Sequence, residues 1–235
     1  GVIGKLLPTK IGVVADPGVF CEQWRDHLTA TAPLTDTADS SWLARLRANL
    51  DQVRSGASDS ALAADYMTVL NEVLPPDAVL SVGAGAYTFW AQRLHDYTTY
   101  RTCLGSASGA MGYGLPAAVT AKLLHPEREV VAFAGDGCFL MNGQELATAV
   151  QNELALTVIV INNDVYGVIR DHQRREFPGR PVATELRNPD FAALARSFGA
   201  HGVTVTSPDE LRQTWAQRPT EGVPSLIEIQ VPYGQ

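Results

Sequence analysis

Two segments, EVVAFA (129–134) and LTVIVI (156–161), constrain the fold more than anything else in the chain. Each reads as a strand that is apolar on both faces. Such a strand must be covered on both sides, which is the situation of a parallel sheet sandwiched between helices. The rest of the pattern agrees from residue 60 onward. Residues 61–73 have helical spacing and are stopped by Pro75-Pro76, and residues 78–82 form a strand that runs into Gly83-Ala84-Gly85. Helices are expected at 87–94 and 115–124, and at 143–152 with Asn142 as cap and Glu145 three residues on. Asn188-Pro189 is expected to start a helix reaching Phe198. Ser207-Pro208-Asp209-Glu210 combines a capping box with Pro at the first helical position, and residues 225–231 supply a last strand. The fold class is therefore α/β, a parallel sheet with helices on both faces.

The first quarter reads differently. Residues 10–14 look like a buried strand, and 22–27 and 42–53 like helices. Between the helices, TATAPLTDTADSS (29–41) has linker composition, and SGASDS (55–60) is a second weak stretch.

Charge and composition remove several classes of function. A net charge of -7 and a pI near 5.2 do not suit a nucleic-acid partner, which needs clustered Lys and Arg. The one basic stretch, 170–175, is interrupted by Asp171 and followed by Glu176, as on a solvated helix face. No apolar run approaches the ~20 residues that span a bilayer, and no signal-peptide order opens the chain. Cys21, Cys103 and Cys138 are odd in number and widely spaced, which fits reduced thiols and a cytoplasmic location.

The chemistry concentrates where the two apolar strands end. In parallel sheets, ligands bind at the carboxyl ends of the strands. There the chain carries Gly135-Asp136-Gly137 after one strand and Asn162-Asn163 after the other. The glycines allow a sharp turn and a close approach of backbone to ligand. A carboxylate and an amide oxygen are hard donors suited to Mg²⁺, which keeps part of its shell for water and phosphate. Free N–H groups at Gly137 and Cys138, with a helix starting near Gly143, offer an anion site. Taken singly, GDG also reads as a plain turn and NN as a polar strand end. The pair, each behind an apolar strand and with a helix between, is the more specific signal.

GDG followed at this spacing by NN resembles the signature of thiamine diphosphate-dependent enzymes. MGYGLPAAVTAKL (111–123), FAGDGCFLMNGQELATAVQNELALTVIVINNDVYGVIRDHQ (133–173) and NPDFAALARSFGAHG (188–202) are similar to the acetolactate synthase-like branch. The resemblance implies that Asp136, Asn163 and the carbonyl of Val165 ligate Mg²⁺. It implies that the amides of Gly137 and Cys138, together with the Gly83-Ala84-Gly85 turn and Gly135 of the GDG motif, hold the diphosphate. Met111 would lie under the cofactor between its rings, and the Gly109 carbonyl would accept a hydrogen bond from the aminopyrimidine. An unbranched thioether suits a ring face, although a Met in a Gly-rich segment also serves as ordinary core packing. The chemistry implied is that of the cofactor acting on a 2-oxo acid.

The resemblance also implies an organisation. Residues 1–30 are similar to the end of a middle domain, 31–59 form a linker and helix, and 60–235 form the diphosphate domain. The family's activating glutamate sits on a separate pyrimidine domain of a partner subunit. Glu145, Glu153 and Glu176 match no such motif, so the chain is expected to be inactive alone and to belong to a homodimer or homotetramer, with FAD an open question for the full-length enzyme.

Two departures leave the reaction open. The synthases carry a tryptophan where this chain has His172, and Gln-His where it has Ala84-Gly85-Ala86. His172 could contact substrate, since an imidazole moves protons near neutrality, or could be a surface helix residue. Acetohydroxy acid formation, 2-oxo acid decarboxylation and 2-hydroxy ketone cleavage all fit. From other classes, a dinucleotide-binding oxidoreductase is suggested by GAGAYT (83–88). It lacks the third glycine and the distal acidic residue. A non-catalytic assembly domain is countered by the intact Asp136 and Asn163.

Overall fold

The computed structural model describes residues 9–31, 40–56 and 61–233. By internal contact the chain divides into residues 1–52 and 53–235. The first unit carries α1 (Pro17–Thr31) and most of α2 (Ser40–Gly56). Residues 10–14, expected as a strand, are exposed and irregular, with Val14 93% accessible. An isolated apolar stretch gains nothing from extension without a neighbouring strand to satisfy its backbone groups. The expected linkers fall largely outside the described residues.

In the second unit the order is α3 (Ala61–Val73), β1 (Val79–Val82), α4 (Thr88–Leu94), β2 (Cys103–Gly105), α5 (Gly114–Leu124) and β3 (Val130–Gly135). Then come α6 (Asp136–Asn142), α7 (Glu145–Gln151), β4 (Thr157–Asn162), α8 (Gly167–Glu176), α9 (Phe191–Ser197), β5 (His201–Val205), α10 (Pro208–Gln217) and β6 (Ser225–Gln230). All six strands are parallel, in the order β2-β1-β3-β4-β6-β5. This is the α/β sheet that the doubly apolar strands demanded.

The strands show why. Val131 and Phe133 of β3 and Ile159 and Ile161 of β4 enter one core, with Tyr66, Leu70 and Trp215 from the helices. Their alternates Val130, Ala132, Val158 and Val160 enter a second core with Leu115, Leu146 and Phe191. Every residue of β3 and β4 is buried. Full burial of one such side chain contributes about 1.5–3 kcal/mol, so neither face can be left open to water.

Several local expectations change. The helix expected over 143–152 is shorter, and a separate α6 begins at Asp136 directly behind β3. Asn142 ends α6 instead of capping α7, and its Nδ2 donates to the Gly112 carbonyl. α9 is capped by Asp190, whose side chain accepts from the Ala193 N–H at 2.7 Å, so Asn188 is released from the helix start. The capping box at α10 forms, with Ser207 accepting from the Glu210 N–H while Glu210 returns to Thr206. β2 and β5, at the two edges of the sheet, are half-exposed and lack the apolar run that marks central strands. Among the described residues, no helix is long and apolar enough to cross a membrane.

Candidate functional site

β3 and β4 are direct neighbours, with Gly135 level with Ile161. Asp136 directly follows β3 and Asn163 directly follows β4, so both emerge at the carboxyl edge from neighbouring strands. Here lies a cavity of about 530 Å³ lined by both of them, by Val165, and by Met111, Gly137 and Cys138. Ala84, Gly85 and Gly135 also line it. Of the remaining sequence candidates, Gly83 lies behind the lining, and Gly109 is exposed on the loop before Met111 with φ of 64°. His172 is exposed on α8, outside the cavity, with its ring nitrogen 2.7 Å from an Arg175 guanidinium nitrogen.

Asp136 is 4% accessible. One carboxylate oxygen, Oδ1, accepts from the Gly137 N–H at 2.8 Å. The other, Oδ2, accepts from Asn188 Nδ2 at 2.8 Å and from the Asn163 N–H at 3.3 Å. Burial pushes this carboxyl upward from its ordinary value, opposed by hydrogen bonds from the Gly137 backbone, the Asn188 side chain and the Asn163 and Asp164 backbones. Among the described residues no ion pair involves it. Oδ1 has one lone-pair site taken by the Gly137 N–H, which leaves room on that oxygen for a further partner. The Asn163 side-chain oxygen accepts from the Val165 N–H at 3.3 Å, so amide oxygen and carboxylate come from adjacent strand ends. This is a hard oxygen donor set, able to hold a divalent cation that keeps water or phosphate in its remaining positions.

The turn beyond β4 is fixed by its own backbone. Asp164 adopts a left-handed conformation with φ of 58°. Tyr166 N–H donates to the Thr184 carbonyl and Leu186 N–H to the Asp164 carbonyl, bracketing the bridge between Val165 and Glu185. Gly137 admits no side chain, because a Cβ there would collide with the Tyr166 ring. The GDG turn and the NN turn are thus packed against each other, with glycine required where they touch.

Sequence reasoning passed over three residues. Tyr166 is one. Tyr87 is another, read only as a helix start. It is buried at the cavity wall, and its hydroxyl donates to Cys138 Sγ at 3.0 Å. Burial, and then Cys138, push its phenol upward. The Gly112 N–H donates to the same sulfur at 3.1 Å, tying the Met111 segment to the GDG turn. The third is Asn188, whose position before Pro189 looked like a helix boundary. No local pattern marks it, because the cap at Asp190 that frees it emerges only in the structure.

Comparison with known proteins places this geometry. Residues 83–229 match the family model "Thiamine pyrophosphate enzyme, C-terminal TPP binding domain". The chain is 32% identical over 99% of its length to the acetolactate synthase large subunit of Parasynechococcus marenigrum, covering 38% of that protein. It is 33% identical over 89% of its length to the acetolactate synthase large subunit of Corynebacterium glutamicum, covering 35% of it. Among solved structures, the thiamine diphosphate-dependent 4-hydroxybenzoylformate decarboxylase of Rhodococcus jostii RHA1 matches 73% of the chain. That match has a TM-score of 0.68 and 26% identity and covers 32% of the decarboxylase. The chain thus spans less than half the length of the relatives it matches. It belongs to the thiamine pyrophosphate enzymes, through their C-terminal, cofactor-binding domain.

Proposed function

Within that family, we propose that the chain holds the diphosphate of thiamine diphosphate through Mg²⁺, in an acetolactate synthase-like enzyme acting on a 2-oxo acid. The observation that carries this is the buried Asp136 carboxylate, solvated only by neutral donors and facing a cavity beside the Asn163 amide oxygen. When bound, the cofactor supplies the chemistry that cleaves or forms the bond beside the 2-oxo carbonyl. The chain's own residues bind and orient.

On this reading Asp136, the Asn163 side chain and the Val165 carbonyl ligate the metal. The Cys138 and Gly137 amides and the Gly83-Ala84-Gly85 turn approach the diphosphate. The Gly137 N–H already donates to Asp136 Oδ1, so it also fixes the rotamer of the metal ligand. Met111, half-buried on the cavity wall, supports the cofactor rings. The Gly109 carbonyl, on the exposed loop before it, is their hydrogen-bond acceptor. Assembly as a homodimer or homotetramer and a cytoplasmic location belong to the same proposal.

A second reading, simple decarboxylation of a 2-oxo acid, is favoured by the aromatic wall of Phe89, Trp90, Tyr166 and Tyr233, which suits a flat or bulky substrate. Its likeness to the solved decarboxylase supports it as well. Carboligation and 2-hydroxy ketone cleavage share the same diphosphate site and differ in what fills that wall. His172 does not line the cavity, although its neighbour Asp171 does, so a substrate contact for it is not part of this reading.

The test is calorimetric titration of thiamine diphosphate with Mg²⁺ and again with a chelator. Binding that requires the metal is the expected result. Binding that survives the chelator unchanged would overturn the metal-bridged reading.

A further inference from the structure

Asn188 presents one amino group to three oxygens. Its Nδ2 lies 2.8 Å from Asp136 Oδ2, 2.8 Å from Asn162 Oδ1 and 3.1 Å from Asp164 Oδ1. Its orientation is forced, because two of these acceptors are carboxylates and the third is an amide oxygen with its own direction fixed. Asn162 Nδ2 donates to Glu228 Oε1 at 2.7 Å, leaving only oxygen to face Asn188. Glu228 in turn accepts from Thr204 Oγ1 at 2.8 Å. A chain of hydrogen bonds thus runs from β5 and β6 through Asn162 and Asn188 to Asp136 on the far side of β4. Asn188 does not line the cavity that Asp136 faces. It lines a separate polar hollow with Asn162, Asp164 and Glu228, and so reaches the carboxylate from behind.

We propose that Asn188 is a positioning residue. By holding Asp136 Oδ2, it fixes the carboxylate plane so that Oδ1 keeps its free lone pair for the metal. The same amino group pins Asp164, and hence the turn that carries Asn163 and Val165. This rests on the metal-bridged reading above and deepens it, because both proposed metal-bearing turns are set by one side chain from outside the cavity. A half-buried donor shared by three acceptors that otherwise repel one another is not replaceable by an apolar group of the same shape. Partners behind a metal ligand act on metal affinity more than on the affinity of what the metal carries.

The experiment measures thiamine diphosphate binding by the whole protein as a function of Mg²⁺ concentration, for wild type, Asn188→Ala and Asn188→Leu. The expected result is that both variants raise the half-saturating Mg²⁺ concentration by about 10- to 100-fold. At saturating Mg²⁺, cofactor affinity returns to within about threefold of wild type. A merely structural role would not do this, since added metal cannot rescue a misfolded pocket. Near-UV circular dichroism of each variant checks the fold independently. An unchanged Mg²⁺ requirement overturns the role of Asn188 while the metal-bridged reading stands. Loss of binding that no Mg²⁺ concentration restores overturns it in favour of a packing role. Metal-independent binding by the wild type overturns both.

Discussion

The same sheet buries a charge at each end and treats the two in opposite ways. At the amino ends of the strands, Glu129 before β3 meets Arg218 at 2.7 Å, with side-chain exposures of 24% and 8%. Arg218 also donates to Thr157 Oγ1 and the Trp215 carbonyl, and its guanidinium lies 3.8 Å from the centre of the Trp215 ring. That charge is paired, hydrogen-bonded and stacked, and lies well away from the cavity. At the carboxyl ends, Asp136 is more deeply buried yet meets only neutral N–H donors. The Glu129–Arg218 charge is neutralised within the protein. Asp136, like the buried Glu228 of β6, is instead held by neutral dipoles, and on the proposed reading it keeps an open position for the metal.

The largest effect that could break this comparison is on binding. Asp136→Ala is expected to weaken metal-dependent cofactor binding by more than the about 10- to 100-fold typical of partners behind a metal ligand, with the protein still folded. Titration and thermal melting together check this, and retained metal-dependent affinity would remove Asp136 from the site. Next, Arg218→Ala is expected to cost about 2–3 kcal/mol of stability, below the usual 3–5 for a broken buried pair because Glu129 is partly solvated. Cofactor affinity at a temperature where the variant is folded should match wild type. A large loss of affinity without loss of stability would mean that the two ends are coupled.

The smallest effect concerns pH. Burial raises the Asp136 carboxyl, so the folded chain binds this proton more tightly than the unfolded chain. The stability linked to that proton is fully present below the ordinary carboxylate range. It is lost as pH rises through the raised folded value. In the absence of metal, Asp136→Asn is therefore expected to raise the melting temperature at neutral pH, on the order of 2 °C. In acid, where both side chains are neutral, it should make no difference. An equal shift at both pH values would show that the carboxylate carries no burial penalty.

Much of the fold could be read from local pattern. The doubly apolar β3 and β4, the helix at 61–73 with its proline stop, and the capped start of α10 all follow rules that act within a few residues. The strand expected at 10–14 failed because apolar composition says nothing about whether a neighbouring strand exists. The edge strands β2 and β5 escaped notice because exposure on one side removes the continuous apolar signal.

The site divides along the same line. The sequence by itself determined that Asp136 and Asn163 stand at the ends of two buried strands, because a strand apolar on both faces has to lie inside a parallel sheet. Only the tertiary structure decided that those strands are adjacent, that Tyr87 and Gly112 converge on Cys138, and that Asn188 sits behind Asp136. Those facts join residues 26 to 52 positions apart. Periodicity and capping reach across one turn of helix or one pair in a strand. Which distant polar groups share a buried hydrogen-bond network is settled by the packing of the whole sheet and its helices.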